Sequence, residues 1–333
     1  MTEVRTPTTL EGIDPRSGAL RAGGTDLHAR HRLGVEPAET IIDLGAVPDL
    51  SGITPTEEGG WWIGAMERIS TIATHDTLRG AYPALAATAG SLANPHIRQA
   101  GTVGGNLLQR TRCWYYRHPG IDCHKLGGSD CPARSGNHHL GVIFDRGPCV
   151  APHPSSIAMA LLTYDAAMTV AGVGTRTRAI SELYGDGSDP TRDHLLEPEA
   201  VLTGIRMPPP TTGELAAYWR ANSRTYGEWP LVEVVCRLMV GGGEVTLARV
   251  AAGGVAPVPV RLPGVEDALA GGPLNQERVK QAAERAIDGA RPLPQTGYKQ
   301  DLLVGTVWHV LDAAINASPH TEEAVHEKGL PKR

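Results

Sequence analysis

Toward the C-terminus the apolar positions alternate with a period of two and then change to the 3.6-residue spacing of helices. Residues 214–220, 231–240 and 244–252 read as three antiparallel strands. In the middle one Val232, Val234, Cys236, Leu238 and Val240 share a face, which makes Cys236 a core residue. Two helices follow: Asn275 caps the first, with Val279, Ala282, Ala283 and Ala286 on one side. The second, after Tyr298-Lys299, carries Leu303, Val307, Val310, Leu311 and Ala314. The earlier part of the chain is more broken. A short strand leads to residue 21, and 28–33 form one or two helical turns. Residues 40–44, 52–54 and 61–65 read as strands, with a hairpin turn at 57–60. Ser70 caps a helix over 71–78 that leaves His75 at the surface, and an Ala-rich helix over 82–92 ends at Asn94-Pro95. Ser155-Ser156 opens a helix with Ile157, Ala160, Leu161 and Tyr164 on one face, and strands follow at 166–170, 175–180 and 200–206. Pro208-Pro209-Pro210 marks the domain boundary.

A chain of 333 residues can bury several cores without staples, so a shared metal site would serve function rather than folding. With 40 Gly and 26 Pro the fold is loop-rich, and with a single Phe its cores are aliphatic. A net charge of -5 and the lack of a basic run interleaved with aromatics argue against nucleic acid. The longest apolar run, 231–240, is interrupted by Glu233 and Arg237, so no membrane span is expected. Residues 1–20 show neither an apolar signal core nor a twin-arginine pair. The expected location is cytoplasmic, or export as the passenger of a partner.

Two glycine turns, Gly23-Gly24 and Gly104-Gly105, can each point successive backbone N–H groups into one concavity; together they suit a pyrophosphate, although Asp26 in the first is also placed to cap a helix. The third glycine of a dinucleotide fingerprint is missing. After the second turn come Cys113, Cys123, Cys131 and Cys149, with nine, seven and seventeen residues between them. Zinc ribbons and bacterial ferredoxin runs use closer pairs, so neither template fits. Arg110, Arg112, Arg117, Lys125 and Arg134 would offset thiolate charge, while His118, His124, His138, His139 and His153 keep a mixed Cys/His zinc site open. Spacing alone leaves zinc and iron-sulfur undecided.

With these motifs placed, nearly the whole chain resembles the FAD-binding medium subunit of the molybdenum hydroxylases, the xanthine dehydrogenase and aldehyde oxidoreductase family. Ala22-Gly23-Gly24-Thr25-Asp26-Leu27 is similar to its first flavin loop and Thr102-Val103-Gly104-Gly105-Asn106-Leu107 to its second. Gly253-Gly254-Val255-Ala256-Pro257 and Gly297-Tyr298-Lys299 are similar to segments of its C-terminal domain. The likeness is greatest to the periplasmic aldehyde oxidoreductase branch, whose medium subunit carries an extra 4Fe-4S cluster. The segments around Cys113, Cys123, Cys131 and Cys149 resemble that cluster loop and imply those four residues as ligands.

The resemblance implies an α+β fold. A two-lobed FAD-binding domain would span 1–207 with the cysteine-rich insertion at about 107–153, a smaller domain of antiparallel sheet plus helices would span 211–317, and a charged tail 318–333. It implies FAD on Ala22, Gly23, Gly24, Thr25, Asp26, Leu27, Thr102, Gly104, Gly105, Asn106, Ser156 and Lys299, with Arg224 and Trp229-Pro230-Leu231 toward the flavin side. Ser156 departs from the acidic residue the family commonly has there, and the helix that usually precedes the first glycine turn is missing. Implied partners are a large molybdenum-cofactor subunit, where substrate is oxidised, a small subunit with two 2Fe-2S clusters, and an external electron acceptor. The competing expectations are a stand-alone flavin oxidase of related fold and a zinc-stabilised assembly module without flavin.

Overall fold

The computed structural model describes residues 2–316 apart from 173 and 226; the tail expected at 318–333 lies outside the described residues. The chain opens with β1 (Glu3–Arg5) and β2 (Ala19–Arg21), turns through the first glycine pair into α1 (Leu27–Arg32), and returns as β3 (Thr40–Asp43). β3 lies between β1 and β2 and runs parallel to both. The hairpin of β4 (Ile53–Pro55) and β5 (Trp61–Gly64) follows, then α2 (Ile69–Thr74), α3 (Asp76–Ala81), α4 (Pro83–Ser91), α5 (Pro95–Ala100) and α6 (Val103–Leu107). A mostly irregular segment, containing α7 (Pro132–Ser135), holds the four clustered cysteines and leads into α8 (Ser156–Thr163). β6 (Ala167–Ala171), β7 (Arg176–Ala179) and β8 (Val201–Met207) join the hairpin in an antiparallel sheet of order β4-β5-β8-β6-β7.

Beyond the three prolines, β9 (Leu215–Ala221), β10 (Val232–Gly241), β11 (Glu244–Gly253) and β12 (Val260–Arg261) form a second antiparallel sheet in sequence order. α9 (Pro263–Leu269), α10 (Gln276–Glu284) and α11 (Tyr298–Asn316) complete the described chain. The expected faces of the last two helices are present: Val279, Ala282, Ala283 and Ala286 are buried, as are Leu303, Val307, Val310, Leu311 and Ala314. α11 lies on the β9–β10 face, where the Cys236 thiol points at the Val310 carbonyl from 3.7 Å. Cys236 is fully buried there, in the core.

The structure revises several local expectations. α8 is buried on every side, not along one stripe, because it is enclosed by α4, β10 and β11. Ser155 is its cap, with Oγ accepting from the Ala158 N–H. β10 is likewise buried on both faces, so Glu233 and Arg237 are interior charges. The helix expected over 71–78 is two short ones, broken where His75 takes an extended backbone, and Ser70 lies inside the first turn. His75 is half-buried with its ring against Trp61. Asn94-Pro95 ends one helix and starts the next: Asn94 Oδ1 accepts from the Ile97 N–H, and proline at the first helical position loses no bond.

Arg237 reaches under α8 to the Glu214 carboxylate, which also accepts from the Tyr164 hydroxyl. Tyr164 in turn takes the Ala84 N–H at the start of α4. One buried pair thus ties the C-terminal sheet to the helices of the first domain. Glu214→Ala strands Arg237 without a carboxylate and is expected to cost roughly 3 kcal/mol in denaturant unfolding, whereas Glu214→Leu with Arg237→Met costs less. Equal losses in the two variants would show that the pair contributes nothing beyond packing.

Candidate functional site

The first glycine turn carries β2 into α1. Gly24 has φ +71°, and a Cβ on Gly23 would lie 1.9 Å from the Ala100 carbonyl oxygen, so both positions need glycine. Among the described residues nothing accepts from the backbone N–H groups of Gly23, Gly24, Thr25, Asp26 or Leu27. Five successive unpaired amides at a turn into a helix are of the kind that can hold an anion with backbone alone.

The second turn works differently. Thr102 caps α6 by accepting the Gly105 N–H at 3.1 Å. The Val103 and Gly104 amides donate to Glu67 and Ala65, and that of Asn106 donates to Thr102. The second row of exposed amides that the sequence led us to expect is therefore mostly spent fastening the turn beside β5. Its contribution is in side chains: the Ser155 hydroxyl donates to Asn106 Oδ1 at 2.7 Å, and Asn106, whose NH2 has no acceptor among the described residues, lines the middle cavity.

Three cavities join into one trench along these turns. A space of about 750 Å³ runs from both turns toward Leu44, Met66 and Leu202. A second, of about 910 Å³, meets it at Thr25, Thr102, Gly105 and Gln109, and extends past Asn106 and Ser156 to Arg220 and Trp229. A third, about 840 Å³ and lined mainly by apolar surface, continues from Arg112, Pro154 and Trp229 to Cys113, Glu233 and Lys299. The trench passes the backbone of the glycine turns and ends in the apolar third cavity, an arrangement suited to a dinucleotide. Trp229, Pro230 and Leu231 line its far end, while Arg224 is exposed and does not.

Asp26, expected among the cofactor contacts or as a cap, makes no capping bond. It lines the trench, but its carboxylate accepts from Arg30 Nε, the Arg110 amide and Arg117, and pairs with Arg112 at 2.8 Å. Burial opposes its charge, yet Arg112, Arg117 and the Arg110 amide outweigh burial and hold the carboxyl below its ordinary value. Arg110 also pairs with Glu36 and Asp193, and Lys125 pairs with Asp193 at 2.9 Å. Across this network five cations face three carboxylates. The surplus of two suits a diphosphate or an anionic thiolate cluster. Arg112 lies over the Trp229 ring at 4.5 Å and so joins the network to the C-terminal domain.

The cysteine loop folds on the same network. Cys113 and Cys123 pack with Val35 and Tyr116, and Cys131 with Val142 and Val150; Cys123, Cys131 and Cys149 are buried. Burial pushes the Cys113 and Cys123 thiols up, and Cys149 to about 11. The Cys131 thiol adds to the rise at all three. Backbone amides offset part of the rise: those of Tyr115 and Tyr116 at Cys113, of Lys125 and Leu126 at Cys123, and of Ala151 at Cys149. Such donors favour thiolates that a cationic centre would then hold. Among the described residues no three Cys, His, Asp or Glu side chains converge tightly enough for a single ion. Several candidate histidines are occupied elsewhere: His138 bonds Ala133 and Gln295 through its two ring nitrogens, and His139 stacks on Tyr298. Burial pushes His153 down to about 3, so it is neutral.

Ser156 lines the middle cavity, and its hydroxyl donates to Glu233 Oε2 at 2.7 Å. Lys299 lines the third, but its Nζ is taken by the Leu140 and Gly254 carbonyls, and burial lowers it to about 7. It clamps the cysteine loop to the C-terminal domain. The residues missed in the sequence are Gln109, which donates to the Asn106 and Pro154 carbonyls, and Glu233; the only signal for Glu233 was a charge inside an apolar run.

Asp193 anchors the loop from outside. Burial opposes its charge, but Lys125 and Arg110 bring the carboxyl from 3.8 down to about 2. The folded value is the depressed one, so the stabilisation is present above about pH 4 and is lost as pH falls through about 2. It amounts to roughly 2 kcal/mol. Asp193→Asn should therefore unfold more easily at neutral pH, with the gap to the parent closing toward about pH 2; a constant gap in chemical denaturation would contradict this linkage.

Two family models match the chain: the FAD binding domain in molybdopterin dehydrogenase over residues 16–210, and the CO dehydrogenase flavoprotein C-terminal domain over 217–312. The aldehyde oxidoreductase FAD-binding subunit PaoB of Escherichia coli K12 is 33% identical over 298 residues, covering 88% of this chain and 90% of that protein. The carbon monoxide dehydrogenase medium chain of Hydrogenophaga pseudoflava is 27% identical over 301 residues, with 90% and 88% covered. In structure, the Hydrogenophaga pseudoflava carbon monoxide dehydrogenase that lacks the Mo-pyranopterin moiety superposes with a TM-score of 0.74 at 24% identity over 94% of this chain and 97% of that one. Quinoline 2-oxidoreductase from Pseudomonas putida 86 gives 0.72 at 21%, over 96% and 98%. With the trench and its unpaired amides, these likenesses show that the chain belongs to the FAD-binding medium subunit family of the molybdenum hydroxylases, oxidoreductase flavoproteins of mixed helix and sheet.

Proposed function

We propose that this chain is the electron-transfer subunit of a molybdenum-dependent aldehyde or N-heterocycle dehydrogenase and carries FAD and a 4Fe-4S cluster. The observation that carries the proposal is the continuity of the trench. Its unpaired amides at 23–27 lead, within one cavity system, to Cys113 and the loop that holds the other three thiols. Bound FAD supplies a two-electron carrier, and the cluster a one-electron relay beside it.

The chain's own residues bind, orient and exclude water. The amides of Gly23, Gly24, Thr25, Asp26 and Leu27 would hold the diphosphate, with the Thr102 hydroxyl and Asn106 NH2 opposite. Ala22, Gly104 and Gly105 shape the wall there. Cys113, Cys123, Cys131 and Cys149 would each give one thiolate to the cluster. The surplus cations of the Asp26 network would offset their charge. A large molybdenum-cofactor subunit would oxidise the substrate and a small 2Fe-2S subunit would pass electrons on, leaving this chain to deliver them to an external acceptor. That the Hydrogenophaga pseudoflava relative is the medium chain of its dehydrogenase supports such a subunit set.

Purified without oxygen, the chain should show flavin bands over broad iron-sulfur absorption, with about four iron per chain. A colourless protein holding only zinc would contradict both cofactors. Cys→Ser at 113, 123, 131 or 149 should lose or convert the cluster, whereas Cys236→Ser leaves the iron content unchanged. Iron that depends on Cys236 and not on one of the four would overturn the ligand set.

A further inference from the structure

Glu233 sits inside the middle strand of the C-terminal sheet, yet it is turned from the strand toward the N-terminus of α8. It is 1% exposed. Its Oε2 accepts from the Ser156 and Tyr218 hydroxyls. Among the described residues no donor reaches Oε1, and Glu233 lines the third cavity of the trench. The backbone leaves that oxygen its space: a Cβ on Gly253 would come within 2.8 Å of it. The charged group felt there is Arg220 of β9, which donates to the Ser91 and Glu228 carbonyls and lines the middle cavity; Tyr218 lies beside it on the same strand. Burial pushes the carboxyl up, while Tyr218, Ser156 and Arg220 pull it back.

A carboxyl used only as a strut would have both oxygens engaged, since an unpaired buried acceptor is costly. Here one oxygen is fixed by two hydroxyls from different elements, the other receives no donor among the described residues, and the residue lines the third cavity. We propose that Glu233 is a further cofactor-contacting residue, its free carboxyl edge being the hydrogen-bonding group that the C-terminal domain offers to the polar edge of the bound flavin ring. Ser156 orients this group and does not itself supply the acid. The inference rests on the reading that the ring lies in the trench on the Ser156 side of the glycine turns.

The test uses the purified, cofactor-loaded chain. FAD release and the flavin midpoint potential are measured for the parent, for Glu233→Gln, and for a variant that moves the acid across the hydrogen bond, Glu233→Ser with Ser156→Asp. Glu233→Gln should change the ratio of oxidised to reduced flavin affinity at least tenfold, which is about 30 mV for a two-electron couple, and the exchanged pair should return most of that change. A flavin-loaded Glu233→Gln within twofold of the parent overturns the inference and leaves the cofactor assignment standing. Where Glu233→Gln does not fold, Tyr218→Phe, which removes one of the two hydroxyls from the carboxyl, is titrated instead. A moved potential supports the contact and an unmoved one overturns it. A parent chain that takes up no flavin overturns the reading of the trench before any variant is compared.

Discussion

The structure depends on one buried carboxylate. Asp26 follows the first glycine pair, where three arginine side chains and the Arg110 backbone amide meet it, and three of those partners, Arg110, Arg112 and Arg117, come from the start of the cysteine loop. A charge out of water persists only when it is paired, and removing either side leaves the other uncompensated. The turn that presents unpaired amides and the loop that presents thiols are therefore held in one register. The same network extends through Arg110 and Lys125 to Asp193, and through Arg112 to Trp229, so the first domain, the insertion and the C-terminal domain converge on the same few charges.

In the proposed cluster, this arrangement would let widely spaced cysteines share a site without the tight ligand pairs of zinc ribbons. Short spacings let the local chain do the positioning. Here the positioning would come from tertiary ion pairs, while Lys299 clamps the loop from the other side through the Leu140 and Gly254 carbonyls. The excess of cations over carboxylates suits an anionic occupant, and the trench runs from the glycine turns to Cys113.

Much of the fold was legible because its signals are periodic. The strands of the C-terminal sheet, α10 and α11 follow from alternation and helical spacing, and the Cys236 core position follows from strand parity. What could not be read depends on neighbours remote in sequence. α8 looks amphipathic alone and is enclosed by both domains; His75 breaks a helix that pattern alone would continue. The glycine turns look alike in sequence, but only the first keeps its amides unpaired, because those of the second are claimed by Glu67 and Ala65. Asp26 reads as a helix cap until Arg117, 91 residues away, is placed beside it. Glu233 reads as an interruption of an apolar run until Ser156, 77 residues before it, supplies a hydroxyl.

The central claim is that the amide turn and the cysteine loop form one cofactor-bearing unit. An iron-edge anomalous difference map of anaerobically crystallised protein tests it most directly. The account predicts four-iron density enclosed by Cys113, Cys123, Cys131 and Cys149, with flavin density in the adjoining trench and its diphosphate on the amides of residues 23–27. A single-ion peak, no iron, or a flavin bound away from that turn would contradict it.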